Sequence, residues 1–353
     1  MTRWAAWFVV AVLSVGCSSP DVDRMSSAVE LGDPSFDPTL EAYAGAPILP
    51  GNDVRILLNG DKIFPALVGA IRSARKSITY AQYFFEEGPV ADEVVAALVE
   101  RCRAGVPAHV LLDGVGTVSM PARHIDELKP ARCDVSTFRP LRPWALRRAN
   151  NRNHRRILVV DRVGITGGSG VSEKWMGNGL TPDHWRDTDM RIEGPVVEWL
   201  QAAFVENWLE TTKEALGGDA YFPRAQPRGS ITAQVVRSSP AGGSFAMYST
   251  LLLAFNSARR SLRITNPYFL LDGTMRDVVI DRLRRGVTVE VLVPGTIDHK
   301  FVRQASRATW GPLLKAGVRI FEYRPALLHA KTVVIDGMWP PSAARTWTTA
   351  HLP

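Results

Sequence analysis

The sequence predicts an α/β protein made of two tandem copies of one domain. Strand-like segments alternate with helix-like segments from residue 53 onward, and the same order returns in the second half. Residues 67–85 and 251–270 both contain Ser-Ala-Arg, a basic residue and Ser, and then a strand-like run that reaches Tyr-Phe. Each half also has a His-x-cation-x-x-x-x-Asp cluster beside an apolar run. A repeat this long indicates duplicated domains rather than a solenoid.

The elements of the first copy follow from local patterns. Asn59-Gly60 is a turn signal, and Gly105 ends a helical pattern. Apolar side chains at helical spacing predict helices, and runs of β-branched and aromatic residues predict strands. The predicted strands are residues 54–58, 77–84 and 110–114, and the predicted helices are residues 63–71 and 90–102.

The chain has 353 residues, which is enough for two domains with their own cores. Its formal net charge is +7. A basic surface suits anionic lipid, nucleic acid or phosphate esters equally well, so charge alone does not select a partner.

The N-terminus has the pattern of an export signal. Arg3 precedes an apolar run over residues 4–15, which is too short to span a bilayer comfortably, and residues 1–16 fit a signal peptide. Cys17 follows Gly16 and resembles the lipidated cysteine of bacterial lipoproteins. We therefore expect an exported, membrane-anchored protein on the periplasmic face, with an uncleaved anchor or plain secretion as alternatives.

Composition sets the expected boundaries of the folded parts. Residues 17–50, rich in Ser, Pro, Asp and Gly, are predicted to be a flexible tether. The first domain is predicted at 51–216, a linker at 217–230 and the second domain at 231–339.

Two cysteines remain within the predicted domains. Cys102 and Cys133 are able to form one disulfide in an exported protein, or to remain buried thiols. Their spacing does not indicate a metal site, and we expect none.

The two polar clusters place an imidazole beside a cation. Residues two apart on a strand share a face, so each His and the following cation point the same way. The Asp of each cluster lies an odd number of residues from the His and the cation, so its side chain points to the opposite face of the strand. This position predicts a supporting role. An imidazole beside a fixed cation suits a phosphate anion. The clusters are His154, Arg156 and Asp161 in the first half and His329, Lys331 and Asp336 in the second.

If the two clusters meet at a pseudo-two-fold interface, two imidazoles surround one phosphorus atom. One is then able to attack the phosphorus while the other protonates the leaving oxygen. Phosphoryl transfer needs little more than such positioning and charge stabilisation. The alternative is that each His only caps the end of a strand.

A His-x-Lys-x-x-x-x-Asp motif that occurs twice in a chain resembles the signature of the phospholipase D superfamily, and the resemblance covers most of residues 53–337. It implies two phospholipase D-like α/β domains with pseudo-two-fold symmetry. It also implies a phosphohistidine intermediate resolved by water or an alcohol, and no cofactor. Arg156 departs from the pattern, because it stands where the family has Lys.

Finer matches are similar to the cardiolipin synthase branch, at residues 138–144, 151–154 and 185–195. This resemblance implies that Asp187 orients the first His. It implies that Gly168 and Ser169 form a small-residue turn that approaches the phosphate. A group before the first motif is expected to bind lipid head groups. Its members are Arg139, Arg142, Trp144 and Arg152.

The last residues differ from the family pattern. After residue 339 the family continues with a Gly-Ser-x-Asn turn, another strand, an orienting acid and a helix, whereas residues 340–353 have no strand or helix pattern. We expect an incomplete second domain, an aberrant tail that matches the family turn read out of frame, and a second His without its orienting carboxylate.

The function implied by the resemblance is that of a phosphatidyltransferase. It would make cardiolipin from phosphatidylglycerol at an anionic phospholipid membrane, with no nucleic acid as partner. The alternatives are a phospholipase D, phosphodiesterase or nuclease of the same superfamily, and an inactive truncated copy. The acceptor alcohol and the oligomeric state do not follow from the sequence.

Overall fold

The computed structural model describes residues 29–140, 152–238, 245–298, 300–337 and 346–348. Helices and strands alternate along most of this length. The helices are α1 Phe36–Ala44, α2 Gly60–Ser73, α3 Pro89–Arg103, α4 Ala122–Leu128, α5 Val197–Thr212, α6 Ala246–Asn256, α7 Gly273–Arg284 and α8 Lys300–Ala316.

The strands form two sheets, described below. The strands are β1 Leu49–Leu58, β2 Ile78–Gln82, β3 Ala108–Asp113, β4 Asp134–Phe138, β5 Ile157–Val160, β6 Val163–Gly167, β7 Thr188–Glu193, β8 Ile231–Ala233, β9 Ser261–Thr265, β10 Thr288–Pro294, β11 Arg319–Tyr323, β12 Thr332–Ile335 and β13 Thr346–Thr348.

The first sheet has the order β4-β3-β2-β5-β6-β7-β1-β8. Its β2, β3 and β4 are parallel, and the remaining neighbours are antiparallel. Every residue of β2 and β3 is buried, because helices cover both faces of the sheet. Leu67 of α2 and Leu98 of α3 belong to the core on one face, and Phe204 of α5 belongs to the core on the other.

The second sheet has the order β11-β10-β9-β12-β13 and repeats the central part of the first. Its β9, β10 and β11 are parallel, and β12 pairs antiparallel with β9 as β5 does with β2. Leu251 and Phe255 of α6 and Val279 of α7 fill its core. The predicted α/β fold with two tandem copies of one domain is confirmed.

The predicted tether over residues 17–50 is wrong for its later part. Residues 36–44 form α1, and β1 begins at Leu49. Phe36, Leu40 and Ala44 recur every four residues and are buried, and the first two contact Leu253 of α6. The Pro- and Asp-rich composition obscures this short amphipathic helix, which tertiary packing stabilises.

The predicted start of the second domain at residue 231 is also corrected. Ile231–Ala233 forms β8, which pairs antiparallel with β1 at the edge of the first sheet. The Asn52 side-chain amide donates to the Leu49 and Ile231 carbonyl groups and strengthens this junction. The chain therefore crosses to the second sheet after β8.

The statement that residues 340–353 contain no strand is wrong for three of them. Thr346–Thr348 forms β13, which pairs antiparallel with β12. An unpaired strand edge accepts a short segment of strand-forming residues, and Thr and Trp are such residues. The rest of this tail lies outside the described residues.

Cys102, at the end of α3, and Cys133, just before β4, form a disulfide. Both residues are buried. Of the two alternatives open from the sequence, the structure has the disulfide, which ties α3 to the edge of the first sheet.

Within the described residues, no helix combines the length and the apolar character needed to cross a bilayer. The predicted signal peptide at 1–16 and lipidation at Cys17 lie outside the described residues.

Candidate active site

The two imidazole–cation pairs lie at equivalent places in the two sheets. His154 and Arg156 immediately precede β5, and His329 and Lys331 immediately precede β12. These segments lie just outside the strands. The alternation of side chains still holds, because each cation contacts the imidazole two residues before it.

A direct backbone contact joins the two repeats beside this site. The Arg186 N–H donates to the Leu327 carbonyl at 2.8 Å, and the His329 N–H donates to the Arg186 carbonyl at 2.8 Å. These hydrogen bonds hold His329 of the second repeat against the Arg186 backbone of the first repeat. The Tyr323 hydroxyl adds a hydrogen bond to the Gly179 carbonyl at 2.8 Å.

Asp187 orients the second imidazole. His329 Nδ1 lies 2.7 Å from Asp187 Oδ2, and a neutral imidazole at this distance donates its Nδ1–H to the carboxylate. The Trp175 indole N–H donates to the same oxygen at 2.8 Å, and the Thr188 N–H donates to Oδ1 at 2.8 Å. The carboxylate is fully buried and held by these three donors.

Two aromatic side chains enclose the same imidazole. The Trp175 ring lies edge-on to His329 at 5.3 Å between centroids, and the Trp185 ring lies at 5.5 Å. The two indoles also contact each other at 4.4 Å. His329 is only 6% exposed as a result.

The expected partnership of Asp187 with the first His is therefore wrong, and so is the expectation that the second His lacks an orienting carboxylate. Asp187 belongs to the first repeat and binds His329 of the second. Sequence order suggested that each acid serves its own repeat. The contact between Arg186 and the 327–329 segment reverses this pairing.

The first imidazole has a different partner. Arg156 Nη1 donates to His154 Nδ1 at 2.9 Å and to the His154 carbonyl at 3.3 Å. The ring of His154 contacts the Tyr83 ring at 4.1 Å between centroids, and the guanidinium lies 5.5 Å from the same ring. Arg156 thus occupies the ring nitrogen that Asp187 occupies on His329.

Lys331 contacts the second imidazole in a related way. Its Nζ donates to the His329 carbonyl at 2.9 Å and lies 3.1 Å from His329 Nε2. In both repeats the cation therefore binds the carbonyl group of its own His and lies against the ring. Both cations are buried, Arg156 at 5% and Lys331 at 7% exposure.

The charges of the two repeats act on one another. Burial, and after it the nearby Lys331 and Arg156 charges, lower the pKa of His329 to about 4 against the opposing effect of Asp187. Burial likewise lowers the pKa of Lys331 to about 7, with Arg156 adding to the effect. Arg156 of the first repeat is therefore close to both groups of the second.

Asp187 itself remains a carboxylate. Burial alone would raise its pKa, but the charges and hydrogen bonds of His329, together with Lys331 and Trp175, lower it to about 2. At neutral pH the site therefore has an ionised Asp187 and an uncharged His329.

Gly168 and Ser169 contact two buried carboxylates, those of Asp187 and Asp189. The Ser169 hydroxyl donates to Asp189 Oδ2 at 2.5 Å, and its N–H donates to Oδ1 at 3.1 Å. A Cβ at Gly168 would collide with the Asp187 carboxylate. The turn thus positions the two buried acids, and its expected approach to phosphate stays a prediction.

Asp161 and Asp336 lie at the far ends of β5 and β12 from the imidazoles. Asp161 accepts the backbone N–H groups of residues 75–77, and Asp336 accepts those of residues 259–261. Their grouping with the catalytic residues is therefore corrected to a structural role. The contacts explain why each Ser-Ala-Arg-basic-Ser segment accompanies one motif.

Two members of the expected head-group cluster are described. Arg139 pairs with Glu210 at 2.6 Å. Arg152 donates to the Arg139 carbonyl at 2.9 Å and lies 3.8 Å from Asp113, with its side chain 13% exposed. Both side chains stabilise the approach to the first motif. Arg142 and Trp144 lie outside the described residues.

Several side chains at the site were missed from the sequence, namely Tyr83, Trp175, Trp185 and Asp189. One signal was available, because both repeats reach Tyr-Phe after the strand that pairs with the motif. Tyr268 is the Tyr of the second repeat, and Arg156 and Tyr83 are close enough to influence its pKa. The two tyrosines therefore face the same site.

Most of the chain is similar to known proteins. Residues 67–208 and 251–348 match the family model described as "Cardiolipin synthase, PLD-like domain". Cardiolipin synthase A of Pseudomonas fluorescens is 34% identical over 292 residues, which are 82% of this chain and 60% of that protein. Cardiolipin synthase 1 of Bacillus cereus is 31% identical over 307 residues, which are 84% of this chain and 60% of that protein.

A solved structure shares the fold. The phosphatidylserine synthase of Haemophilus influenzae superposes with a TM-score of 0.56 at 14% identity and covers 85% of this chain and 80% of its own. The chain spans 60% of the length of the two cardiolipin synthases above. With the family model matched across both repeats, the chain belongs to the cardiolipin synthase family of phospholipase D-like proteins.

Proposed function

We propose that this chain is a phosphatidyltransferase that joins two phosphatidylglycerols into cardiolipin and releases glycerol. The proposal rests on one observation: an imidazole–cation pair from each repeat stands at a shared, buried site, with one imidazole held by a carboxylate from the other repeat. The family relationship supports this class of reaction.

The hydrogen bonds support different roles for the two imidazoles. Asp187 takes the Nδ1–H of His329, so Nε2 of that ring carries the lone pair that attacks phosphorus. Arg156 has only donors, so Nδ1 of His154 accepts and the ring proton lies on Nε2. His329 is therefore the nucleophile and His154 the proton donor.

The reaction then proceeds in two balanced steps. His329 Nε2 forms a bond to phosphorus, the bond from phosphorus to the glycerol oxygen breaks, and His154 gives its Nε2 proton to that oxygen. The imidazolate left on His154 keeps the hydrogen bond that the Arg156 guanidinium donates to Nδ1, and this cation stabilises its negative charge. In the second step a hydroxyl of another phosphatidylglycerol gives its proton to His154 and bonds to phosphorus. The phosphorus–nitrogen bond breaks, and the electron pair returns to His329.

The surrounding charges support both steps. Asp187 stabilises the positive charge that develops on the His329 ring. Lys331 and Arg156 bind the phosphoryl oxygens, and Lys331 leaves His329 Nε2 for the substrate as it does so.

We further propose that the protein acts at an anionic membrane outside the cytoplasm. The N-terminal sequence pattern motivates this location, and the Cys102–Cys133 disulfide supports an oxidising compartment. The formal charge of +7 is compatible with an anionic lipid surface.

The test is turnover by the purified chain on phosphatidylglycerol vesicles, with phosphatidylcholine vesicles as control. We expect cardiolipin and glycerol in equal amounts, and their loss in His329→Gln and His154→Gln variants whose unfolding temperatures match that of the original chain. Phosphatidic acid without cardiolipin would indicate hydrolysis by a phospholipase D instead. Absence of any product from the original chain would contradict the proposed activity.

A further inference from the structure

A cluster of possible metal ligands lies at the other end of the first sheet from the active site. His109 is the second residue of β3, Asp134 is the first residue of β4, and Glu214 follows α5. The ligand atoms of these three side chains all lie within 4.8 Å of one another. His109 pairs with Thr79 near the start of β2, whereas Ile157, beside the active site, pairs with Ala81 near its end.

The imidazole is buried and one of its nitrogens lacks a hydrogen bond. His109 is 8% exposed, and its Nε2 lies 2.7 Å from the Tyr221 hydroxyl. Among the described residues, Nδ1 has no hydrogen-bond partner. Asp134 Oδ2 lies 3.7 Å from Nδ1, which is longer than a hydrogen bond.

The ring is oriented as a metal-binding histidine is. When Nε2–H donates to the Tyr221 hydroxyl, Nδ1 keeps a lone pair directed at the carboxylates. A lone pair facing carboxylate oxygens is unfavourable unless a metal ion or a proton lies between them.

A neighbouring side chain orients one of the acids. The Trp208 indole N–H donates to Glu214 Oε2 at 3.0 Å. The same indole contacts the His109 ring edge-on at 4.9 Å. Both an imidazole and a carboxylate of the cluster are thus held by buried neighbours, as ligands of a metal site usually are.

We propose that His109, Asp134 and Glu214 bind a divalent transition-metal ion, with zinc as the preferred metal. Imidazole nitrogen and carboxylate oxygen are both ligand types that zinc accepts, and water would take the fourth position. The imidazole favours zinc over Mg²⁺ and Ca²⁺, which prefer oxygen ligands alone. Bonds of about 2.0–2.2 Å require closer ligands, and small rotations of the exposed Asp134 and Glu214 side chains bring them together.

The bound ion would have a structural role. Glu214 and Tyr221 belong to the segment that leaves the first sheet, whereas His109 and Asp134 belong to the sheet itself. A metal ion would attach this segment to neighbouring strands β3 and β4 and raise the free energy of unfolding. The ligands are far apart in the sequence, which explains why their spacing did not indicate a site.

The test is calorimetric titration of the tag-free full chain with ZnCl₂ after chelator treatment. We expect one zinc ion per chain and a higher unfolding temperature with zinc. Asp134→Asn and Glu214→Gln should each weaken binding about tenfold or more. Asp219→Asn is the matched control, because this exposed acid lies on the same segment and outside the cluster, and it should leave binding unchanged.

Co²⁺ in place of zinc adds a second readout, because its visible spectrum reports nitrogen and oxygen ligation. The spectrum should be lost in the Asp134→Asn and Glu214→Gln variants and retained in Asp219→Asn. Absence of zinc binding at millimolar concentration would overturn the proposal. Binding that persists unchanged in both ligand variants would also overturn it, because the ion would then occupy another place.

Discussion

The two imidazoles of the site differ in their hydrogen-bond partners although their motifs are repeats of each other. His329 meets a carboxylate at Nδ1, and His154 meets a guanidinium at the same atom. A carboxylate favours the developing positive charge of a nucleophilic imidazole, whereas a guanidinium opposes it. The substitution of Arg for Lys at position 156 thus bears on which His attacks.

This difference predicts where a covalent intermediate forms. With a phosphatidyl ester of p-nitrophenol, the leaving group departs without a proton, so His154→Ala should still react once per chain. The second step lacks its base in that variant, and a phosphohistidine should accumulate on His329. Mass spectrometry of acid-labile phosphopeptides locates the adduct.

The reciprocal variant is the control for this assignment. His329→Ala should release no p-nitrophenol burst and carry no adduct. An adduct on His154 in the His329→Ala variant would reverse the roles of the two imidazoles and leave the reaction class unchanged.

At the scale of secondary-structure elements, the Asp of each motif connects two parts of its repeat. Asp161 and Asp336 have left-handed backbone conformations, with φ of 51° and 59°. Each carboxylate accepts three successive backbone N–H groups at the start of the neighbouring strand, β2 or β9. The acid therefore holds the strand that pairs with the one beside the active site.

Replacing Asp161 by Ala should destabilise the chain without removing a group from the active site. Loss of the Asp161 carboxylate leaves the backbone N–H groups of residues 75–77 without their acceptor. Ala also tolerates the left-handed backbone conformation poorly. We expect the free energy of unfolding to fall by about 2–3 kcal/mol, as measured by urea denaturation. Asp219→Ala, at an exposed position, should change it by less than about 0.5 kcal/mol; equal effects of the two variants would contradict the role of Asp161.

The disulfide is a second link between elements. Cys102 and Cys133 are separated by 31 residues and connect α3 to β4. The loop entropy of such a crosslink predicts that Cys102→Ala with Cys133→Ala lowers the free energy of unfolding by about 3.7 kcal/mol. Dithiothreitol should produce a similar loss in the original chain and none in the double variant. An unchanged stability on reduction would show that the bond does not contribute.

At the scale of the whole molecule, the active site exists only where the two repeats meet. The Arg186 backbone binds the segment before β12, which brings Lys331 and His329 to the buried acids of the first repeat. Burying several charges together is unfavourable, and the lowered pKa of Lys331 records that effect.

The shared charges predict a pH dependence. The pKa of Lys331 is about 7, so its ammonium is charged below this pH and becomes neutral above it. We expect kcat/KM to fall as pH rises above 7, because the neutral amine loses its attraction for phosphate. It should also fall below about pH 4, where His329 gains a proton and its Nε2 lone pair is lost.

The Lys331→Arg variant tests whether deprotonation of Lys331 causes the alkaline fall of kcat/KM. A guanidinium remains charged at alkaline pH, so the variant should keep its activity to higher pH than the original chain, even if its maximum is lower. An alkaline decline at the same pH in both proteins would assign the titration to another group.

The sequence by itself determined the α/β class, the duplication and the two imidazole–cation pairs, because these depend on periodicity and on residues two apart. Local patterns of this kind persist whatever the rest of the chain does. It did not show α1 or the place of β8, since packing against Leu253 and pairing with β1 decide both.

Only the tertiary structure decided which groups meet across the repeats. Asp187 was identified from the sequence but assigned to the wrong imidazole, since its partner follows it by 142 residues. The sequence did not indicate the contact of Trp175 with that carboxylate or the place of His109 beside Glu214. Hydrogen bonds and ligand geometry act over a few ångströms of space, and distance along the chain has no bearing on them once the two sheets have folded.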